Sequence, residues 1–501
     1  MHLADGTPST DRGHSDGHTH DHDHDHDHTH DHGHDHDHDH DHDHDHGHGR
    51  SAAERAARSG GSRRWAVRSL VGLLAIAGLL AIAIATRPST ARTSPSSQSV
   101  PATAAGPAQA LLTLETESER RPNDIRSWQN LSSGYLSRAI QTLDPTYYDL
   151  ARKALDRARQ IDANDFRTIL VSASLAVSEH HFADAADQAR QVLDSDPAST
   201  AAYSVLVDAD IELGRYDDAT KSLQSLLDLR PGAAALARTS YLRELHGDVD
   251  GALDAIHQAE AAAAGDDPFS KATYSALEGD LQLHHGHPTL AALAYDKALG
   301  LAPDLPAANV GKARIDAING DLDGAISRLA AYVERLPVPA AATLLGDLQQ
   351  LSGRHNDAAQ SFELVRTLVK LQAASGIDVD LDLAVFEADH GVAGPALIDQ
   401  ASRAASRRPS VYGSDALAWV LLRSNRAGDA VEPIQQALRL GTADASIHFH
   451  AAAIFEATGN ETSARAEISR VVALDPWFSF SQRDAAVALS RRLGVVWPGV
   501  P

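Results

Sequence analysis

The N-terminal tail carries the densest set of metal-binding side chains in the chain. Histidine recurs there at every second position, mostly alternating with aspartate. Neutral imidazole is a common ligand of divalent transition metals, and carboxylate adds an oxygen donor. We therefore expect the tail to bind nickel, zinc, cobalt or copper. The candidate ligands are His18, His20, His22, His24, His26, His28, His30, His32, His34, His36, His38, His40, His42, His44, His46 and His48.

The tail, residues 1–49, has almost no apolar side chain, so we predict that it is disordered. A flexible tail has no fixed ligand geometry, so it would not select one metal. Binding would weaken below about pH 6, as imidazoles protonate. The alternating pattern resembles the histidine-rich stretches of nickel- and zinc-handling proteins, without their fold around it. The alternative is an inert, solvated tail produced by repeat expansion.

Charge and composition exclude several functions. The formal net charge is −24, and residues 1–50 contribute half of it, through 14 Asp and 2 Arg. The rest of the chain is therefore only mildly acidic, which argues against nucleic-acid binding. The chain has no cysteine, which excludes disulfides, thiolate metal sites, iron–sulfur ligation and thiol nucleophiles.

Outside the tail, few residues indicate chemistry. His284, His285 and His287 could offer three imidazoles at one turn, although solvated histidines at a helix end fit the same spacing. His448 and His450 lie two apart on a predicted helix and should point to different faces. We find no Gly-rich phosphate loop, no His–Glu–x–x–His motif and no distinct Ser/His/Asp set. We therefore expect no catalytic residues, no required cofactor and no enzymatic activity.

A basic segment and then an apolar segment follow the tail. Residues 50–68 contain six arginines, and residues 69–86 (SLVGLLAIAGLLAIAIAT) contain no charge. A helix of that length spans about 27 Å, close to the hydrocarbon thickness of a bilayer. We predict a single transmembrane helix with a cytoplasmic N-terminus, because the arginines precede it. A cleaved signal peptide is the alternative, and the arginines could also bind anionic lipid.

The remainder is a spacer, residues 87–109, an array of repeats, residues 110–494, and a short tail, residues 495–501. In the array a turn residue, usually Gly, is followed five residues later by Ala: Gly214/Ala219, Gly247/Ala252, Gly286/Ala291, Gly320/Ala325, Gly353/Ala358, Gly391/Ala396 and Gly459/Ala464, with His180/Ala185 and Asn425/Ala430 as variants. Ala151 extends this period, of about 34 residues, to ten units. Prolines follow several alanines by 12 residues: Pro197, Pro231, Pro303, Pro337 and Pro476.

These landmarks predict that each unit consists of a helix, a Gly turn, a second helix and a Pro boundary. The landmarks resemble the tetratricopeptide repeat family, whose pattern Trp128, Leu131, Ser132 and Tyr135 match in the first unit. The third unit matches through Tyr203, Leu206, Gly214, Tyr216, Ala219 and Pro231. The expected fold is an all-α solenoid of about ten antiparallel helix pairs, closed by a capping helix over residues 480–493.

The resemblance implies a concave face that binds peptides or partner proteins. We expect a membrane-anchored scaffold whose repeats lie on the extracytoplasmic side of the cell membrane. The alternative is a metal-handling accessory protein, in which the tail buffers or delivers a metal and the repeats hold a transporter partner. The sequence names neither the partner nor the metal.

Overall fold

The computed structural model describes residues 107–499, and no strand occurs among them. All of these residues belong to one contact unit of the chain. One 3₁₀ turn, Ala263–Gly265, follows the ninth helix. The helices are α1 Pro107–Arg120, α2 Ile125–Thr142, α3 Thr146–Ile161, α4 Phe166–Ser178, α5 Phe182–Ser195, α6 Thr200–Glu212, α7 Tyr216–Leu229, α8 Ala233–Leu245, α9 Val249–Ala262, α10 Pro268–His284, α11 Pro288–Leu301, α12 Pro306–Ile318, α13 Leu322–Arg335, α14 Pro339–Leu351, α15 His355–Ala374, α16 Asp380–Asp389, α17 Pro395–Arg407, α18 Val411–Arg423, α19 Ala427–Ala437, α20 Ala445–Ala457, α21 Glu461–Leu474 and α22 Arg483–Arg492.

The predicted all-α repeat fold is confirmed over this range, and several predictions fall beyond it. The tail and the predicted membrane segment, residues 69–86, lie outside the described residues. None of the described helices is both long and apolar enough to cross a bilayer. α1 begins at Pro107, inside the predicted spacer. Near the other end Trp497 is buried against the last helices, so part of the predicted C-terminal tail is packed.

Helices α2–α21 form ten consecutive pairs, as the period predicts. Between the two helices of each pair stands at least one residue with positive φ. At Gly214 (φ 65°) the turn is closed by two backbone hydrogen bonds, from the Gly214 amide to the Ile211 carbonyl and from the Arg215 amide to the Asp210 carbonyl. This geometry satisfies the last carbonyls of the helix and favours glycine. The ten turn residues are Leu143, His180, Gly214, Gly247, Gly286, Gly320, Gly353, Gly391, Asn425 and Gly459.

Small residues let the two helices of a pair pack closely. The landmark alanines at this contact have no exposed surface: Ala151, Ala185, Ala219, Ala252, Ala291, Ala325, Ala358, Ala430 and Ala464. Ala396 is the exception. A second glycine with positive φ, Gly394, delays the start of α17 to Pro395, so Ala396 lies exposed in the first turn. Ala401, one and a half turns later, is buried instead.

Repeats that are six units apart contact each other. The Thr442 hydroxyl donates to the Leu245 carbonyl at 2.7 Å, and the Arg408 guanidinium donates to the Glu212 carboxylate at 3.0 Å. The two contacts join residues 197 and 196 positions apart, which is close to six repeats of about 34 residues. The array is therefore a superhelix that completes a turn in about six repeats. We call this line of contacts the seam. It joins the ends of α4, α6 and α8 to the starts of α16, α18 and α20.

Helix ends of opposite polarity meet at the seam. The first helices of earlier repeats present their C-terminal ends, and the first helices of later repeats present their N-terminal ends. The partial charges of the two ends attract each other. Glycine also permits the close approach, because a Cβ atom would lie 2.5 Å from the Pro409 carbonyl oxygen at Gly214 and 2.6 Å from the Gly441 carbonyl oxygen at Gly247.

Candidate functional site

The candidate metal ligands, His18 to His48, all lie outside the described residues, so their role stays a prediction. Between residues 107 and 499 no group of three or more His, Cys, Asp or Glu side chains could hold a metal ion. His284 Nδ1 and His285 Nε2 lie 3.8 and 3.9 Å from one carboxylate oxygen of Glu244.

The third histidine of that turn has a different partner. His287 Nδ1 lies 3.0 Å from the Gln282 side-chain oxygen. His448 and His450 also have separate partners, as their spacing predicts. Their Nδ1 atoms lie 2.6 Å from Glu467 and 2.9 Å from Asp415, respectively. His287, His448 and His450 therefore each have a partner of their own.

The inner face of the superhelix contains a cavity of about 150 Å³. Helices α6, α8 and α10 form one side of it, and α16, α18 and α20 form the other. Apolar side chains make up much of its wall, among them Ile256, Leu277, Leu281, Leu381, Val385 and Phe478. Six acidic residues also line it: Asp208, Glu244, Asp280, Asp382, Asp444 and Asp475. The basic residues in the lining are Arg238 and His284, and two tyrosines, Tyr241 and Tyr412, also line it.

One of these acids is fully paired. Arg238 binds Asp208 through two hydrogen bonds, of 2.8 Å from Nε and 2.6 Å from Nη2, and both side chains are 1% exposed. Burial raises the pKa of Asp208, and the guanidinium opposes that rise. A two-pronged Arg–carboxylate pair of this kind fixes the spacing of α6 and α8.

Asp280 is less well satisfied. Its Oδ1 accepts a hydrogen bond from the Tyr295 hydroxyl at 2.6 Å, and its Oδ2 accepts none. The residue is 7% exposed, and burial raises the pKa of its carboxyl to about 6. The carboxyl is therefore still largely ionised at neutral pH, although the interior disfavours its charge.

The other acids have weak or distant cationic partners. Asp475 lies 3.9 Å from the Arg314 guanidinium, and Asp382 lies 3.7 Å from that of Arg408. Glu244 lies near two histidines. Burial lowers the pKa of His285, whereas in His284, which lines the cavity, Glu244 and Asp280 outweigh burial and raise the pKa. The cavity therefore carries an excess of negative charge.

The concave face that the resemblance implies extends over more than one superhelical turn. Ten repeats exceed one superhelical turn, so at the seam the later repeats lie against the earlier ones. Two smaller cavities of about 60 Å³ adjoin the first. One shares Leu277 and Asp280 with it, and the other shares Asp382.

The buried acids of the cavity do not follow from the repeat pattern. Helix α6 carries Asp208, Asp210 and Glu212 within an apolar stretch, and all three are buried. An acidic residue inside an apolar helix is a usable signal, because such a charge needs a partner. The partners themselves follow no local pattern: Arg238 comes from the next repeat and Arg408 from the next superhelical turn.

Three segments match family models for the tetratricopeptide repeat. One model matches residues 176–239, and another matches residues 276–337 and 416–476. The predicted repeat family is thus confirmed in these segments. No curated protein matches the chain.

Solved structures of similar shape include other repeat proteins. The type IV pilus biogenesis factor PilW is 18% identical and covers 41% of this chain and 98% of its own, with a TM-score of 0.35. A thermophilic TPR protein of Thermus thermophilus is 21% identical and covers 37% of this chain and 98% of its own, with a TM-score of 0.32. A chain of the Cut9–Hcn1 hetero-tetramer of the APC/C is 16% identical. The match covers 76% of this chain and 69% of that chain, with a TM-score of 0.39. Scores this low assign no function.

Proposed function

The chain contains tetratricopeptide repeats, and we propose that it is a scaffold that binds another protein through the inner face of these repeats. The observation that supports the proposal is the acid-lined cavity at the centre of that face. Buried charges that lack strong partners weaken a fold. Their presence on the inner face therefore favours a role in binding a partner. We assign the chain no catalytic step of its own.

The partner should engage this face with individual side chains. A cavity of about 150 Å³ is too small for a folded element and has room for one side chain or a small molecule. Binding of this kind concentrates the free energy of association in a few buried anchors. The exposed surface around the cavity would then contribute shape and solvent exclusion.

Affinity isolation of the full-length chain from its native membranes tests the scaffold function. We expect a partner to co-purify in a fixed ratio with the wild-type chain and with the Asp187→Asn variant. Asp187 is a suitable control because its side chain is 82% exposed on α5, away from the cavity. A variant that lacks residues 110–494 should lose the partner. Equal recovery with that deletion would refute the proposal.

We also propose that residues 69–86 anchor the chain in the cell membrane, with the repeats outside the cytoplasm. The support is the uncharged segment and the arginines that precede it. A reporter fused after Gly494 should be active only when exported. Activity of a cytoplasmic reporter at that position would reverse the topology.

A metal-handling accessory is the second candidate function, and the alternating histidines of residues 18–48 support it. Nickel and zinc are titrated calorimetrically into the full-length chain and into a variant that lacks residues 1–49. At about pH 7.5 we expect several ions to bind only when the tail is present, and at about pH 5.5 we expect this binding to be lost, because imidazoles protonate. Weak or absent binding at the higher pH would refute this role.

A further inference from the structure

We propose that the central cavity binds a primary alkylammonium group, with the ammonium at Asp280 and the methylene chain against Leu277, Leu281 and Leu381. Two sources share this chemistry: a free aliphatic amine and a lysine side chain of the partner protein. The second source rests on the proposed scaffold function, and the first does not.

The charges around the cavity favour a cation. Six acidic residues line it, against Arg238 and His284. Arg238 is already paired with Asp208 through two hydrogen bonds. Arg314 lies near Asp475, and Arg408 lies near Asp382. The carboxylates still outnumber the cations when these two are counted, so the cavity would attract an ammonium group.

Asp280 gives a specific contact point. Its Oδ2 accepts no hydrogen bond although the residue is 7% exposed, and leaving a buried acceptor unpaired is costly. An ammonium group has three donors and no acceptor, so it can satisfy this oxygen and a second carboxylate at once. Burial raises the pKa of Asp280, and the nearby His284 and the hydrogen bond from Tyr295 oppose that rise.

The shape of the cavity favours an organic cation over a metal ion. The described residues contain no group of ligands that converges on one metal position. The wall between the acids is largely apolar, which suits methylene groups. A cavity of about 150 Å³ holds a molecule the size of benzene, which matches an ammonium on four or five carbons. Two tyrosines in the lining, Tyr241 and Tyr412, can add cation–π attraction.

Two charged residues of the lining remain partly exposed to solvent. The side chains of Glu244 and His284 keep 21% and 29% of their surface exposed, while Asp208, Asp280 and Asp475 are nearly covered. The ammonium would thus pass the outer acid, Glu244, before it meets Asp280. This arrangement attracts the ligand at the opening and desolvates it inside.

Calorimetric titration of the full-length chain tests the proposal with four probes. The two amines are cadaverine and Nα-acetyl-lysine methylamide, and the controls of similar length are 1-pentanol and pentanoate. We expect both amines to bind and to compete with each other, and neither control to bind. Tighter binding of the lysine derivative would assign the site to a partner lysine, and tighter binding of cadaverine would assign it to a free amine. Equal binding of 1-pentanol, or no binding of any amine, would overturn the proposal.

Two variants localise the site. Asp280→Asn keeps the size of the side chain and removes its charge, so it should weaken amine binding at least about tenfold. Asp187→Asn, on the outer surface, should leave affinity unchanged. An Asp280→Asn variant that binds amines as tightly as the wild type would contradict the assignment. If a partner protein co-purifies while amines do not bind, the scaffold stands and this inference fails.

Discussion

Replacing Gly214 with alanine tests whether the seam holds the superhelix closed. Gly214 and Gly353 are both turn residues with positive φ, 65° and 79°, and an alanine at either costs on the order of 1–2 kcal/mol. Only at Gly214 would the new Cβ meet backbone, 2.5 Å from the Pro409 carbonyl oxygen. At Gly353 nothing lies within 4 Å of the Cβ position. Gly353→Ala is therefore the matched control for turn strain alone.

The seam contact should add a second cost to Gly214→Ala. A backbone carbonyl cannot rotate away from the new methyl group, so the later repeat must move. Overpacking of this kind costs about 1–3 kcal/mol. We therefore expect Gly214→Ala to weaken the seam by that amount beyond the turn strain. A change of 1–3 kcal/mol raises the local opening equilibrium by about 5–150-fold.

Hydrogen exchange of the full-length chain measures this opening. The Val411 amide donates across the seam to the Tyr216 hydroxyl at 2.8 Å, so its exchange reports whether the seam is closed. We expect Val411 to exchange about 5–150-fold faster in Gly214→Ala than in the wild type, and at the wild-type rate in Gly353→Ala. Equal acceleration in both variants, or an unchanged Val411 in both, would refute the seam.

Two further predictions concern buried charges. Asp280→Asn should stabilise the protein at about pH 8 by up to about 3 kcal/mol and should have little effect near pH 4. The reason is that the folded pKa, about 6, lies above the unfolded value of 3.8, so the contribution of this carboxyl to stability is present below 3.8 and is lost as the pH rises through 6. Urea unfolding at both pH values measures the change in the free energy of unfolding. An equal change at the two pH values would contradict the raised pKa of Asp280. Arg408→Ala should cost about 3–5 kcal/mol, because it leaves Glu212 buried without its cation. Arg354→Ala, which removes an exposed pair with Asp323, should cost less than about 1 kcal/mol in the same assay, and similar losses for the two variants would contradict the difference in burial.

The sequence predicts the repeats because their determinants are local. A glycine that ends one helix, an alanine five residues later and a proline at the boundary act within one unit of about 34 residues. His180 and Asn425 stand where most repeats have the turn glycine. Both adopt the positive φ that this position predicts. Ala396 shows its limit: Gly394, another local signal, shifts the start of α17 and moves the packing contact to Ala401.

The seam and the cavity could not be predicted in this way, because they depend on the superhelical pitch. Gly214 and Gly353 occupy the same place in the repeat pattern, and only the three-dimensional structure shows that one of them contacts another turn. Glu212 and Arg408 are 196 residues apart, and no periodic pattern pairs them. The pitch results from small rotations at every repeat interface, each set by packing of side chains that vary from unit to unit.

Photocrosslinking in cells tests most directly the claim that a partner protein engages the inner face. p-Azidophenylalanine replaces Tyr241, which lines the cavity, or Leu293, whose 65% exposure places it on the outer surface of α11. We predict a discrete protein adduct from position 241, lost in combination with Asp280→Asn, and no adduct of that size from position 293. Adducts from position 293 alone, or none from position 241, would contradict the account.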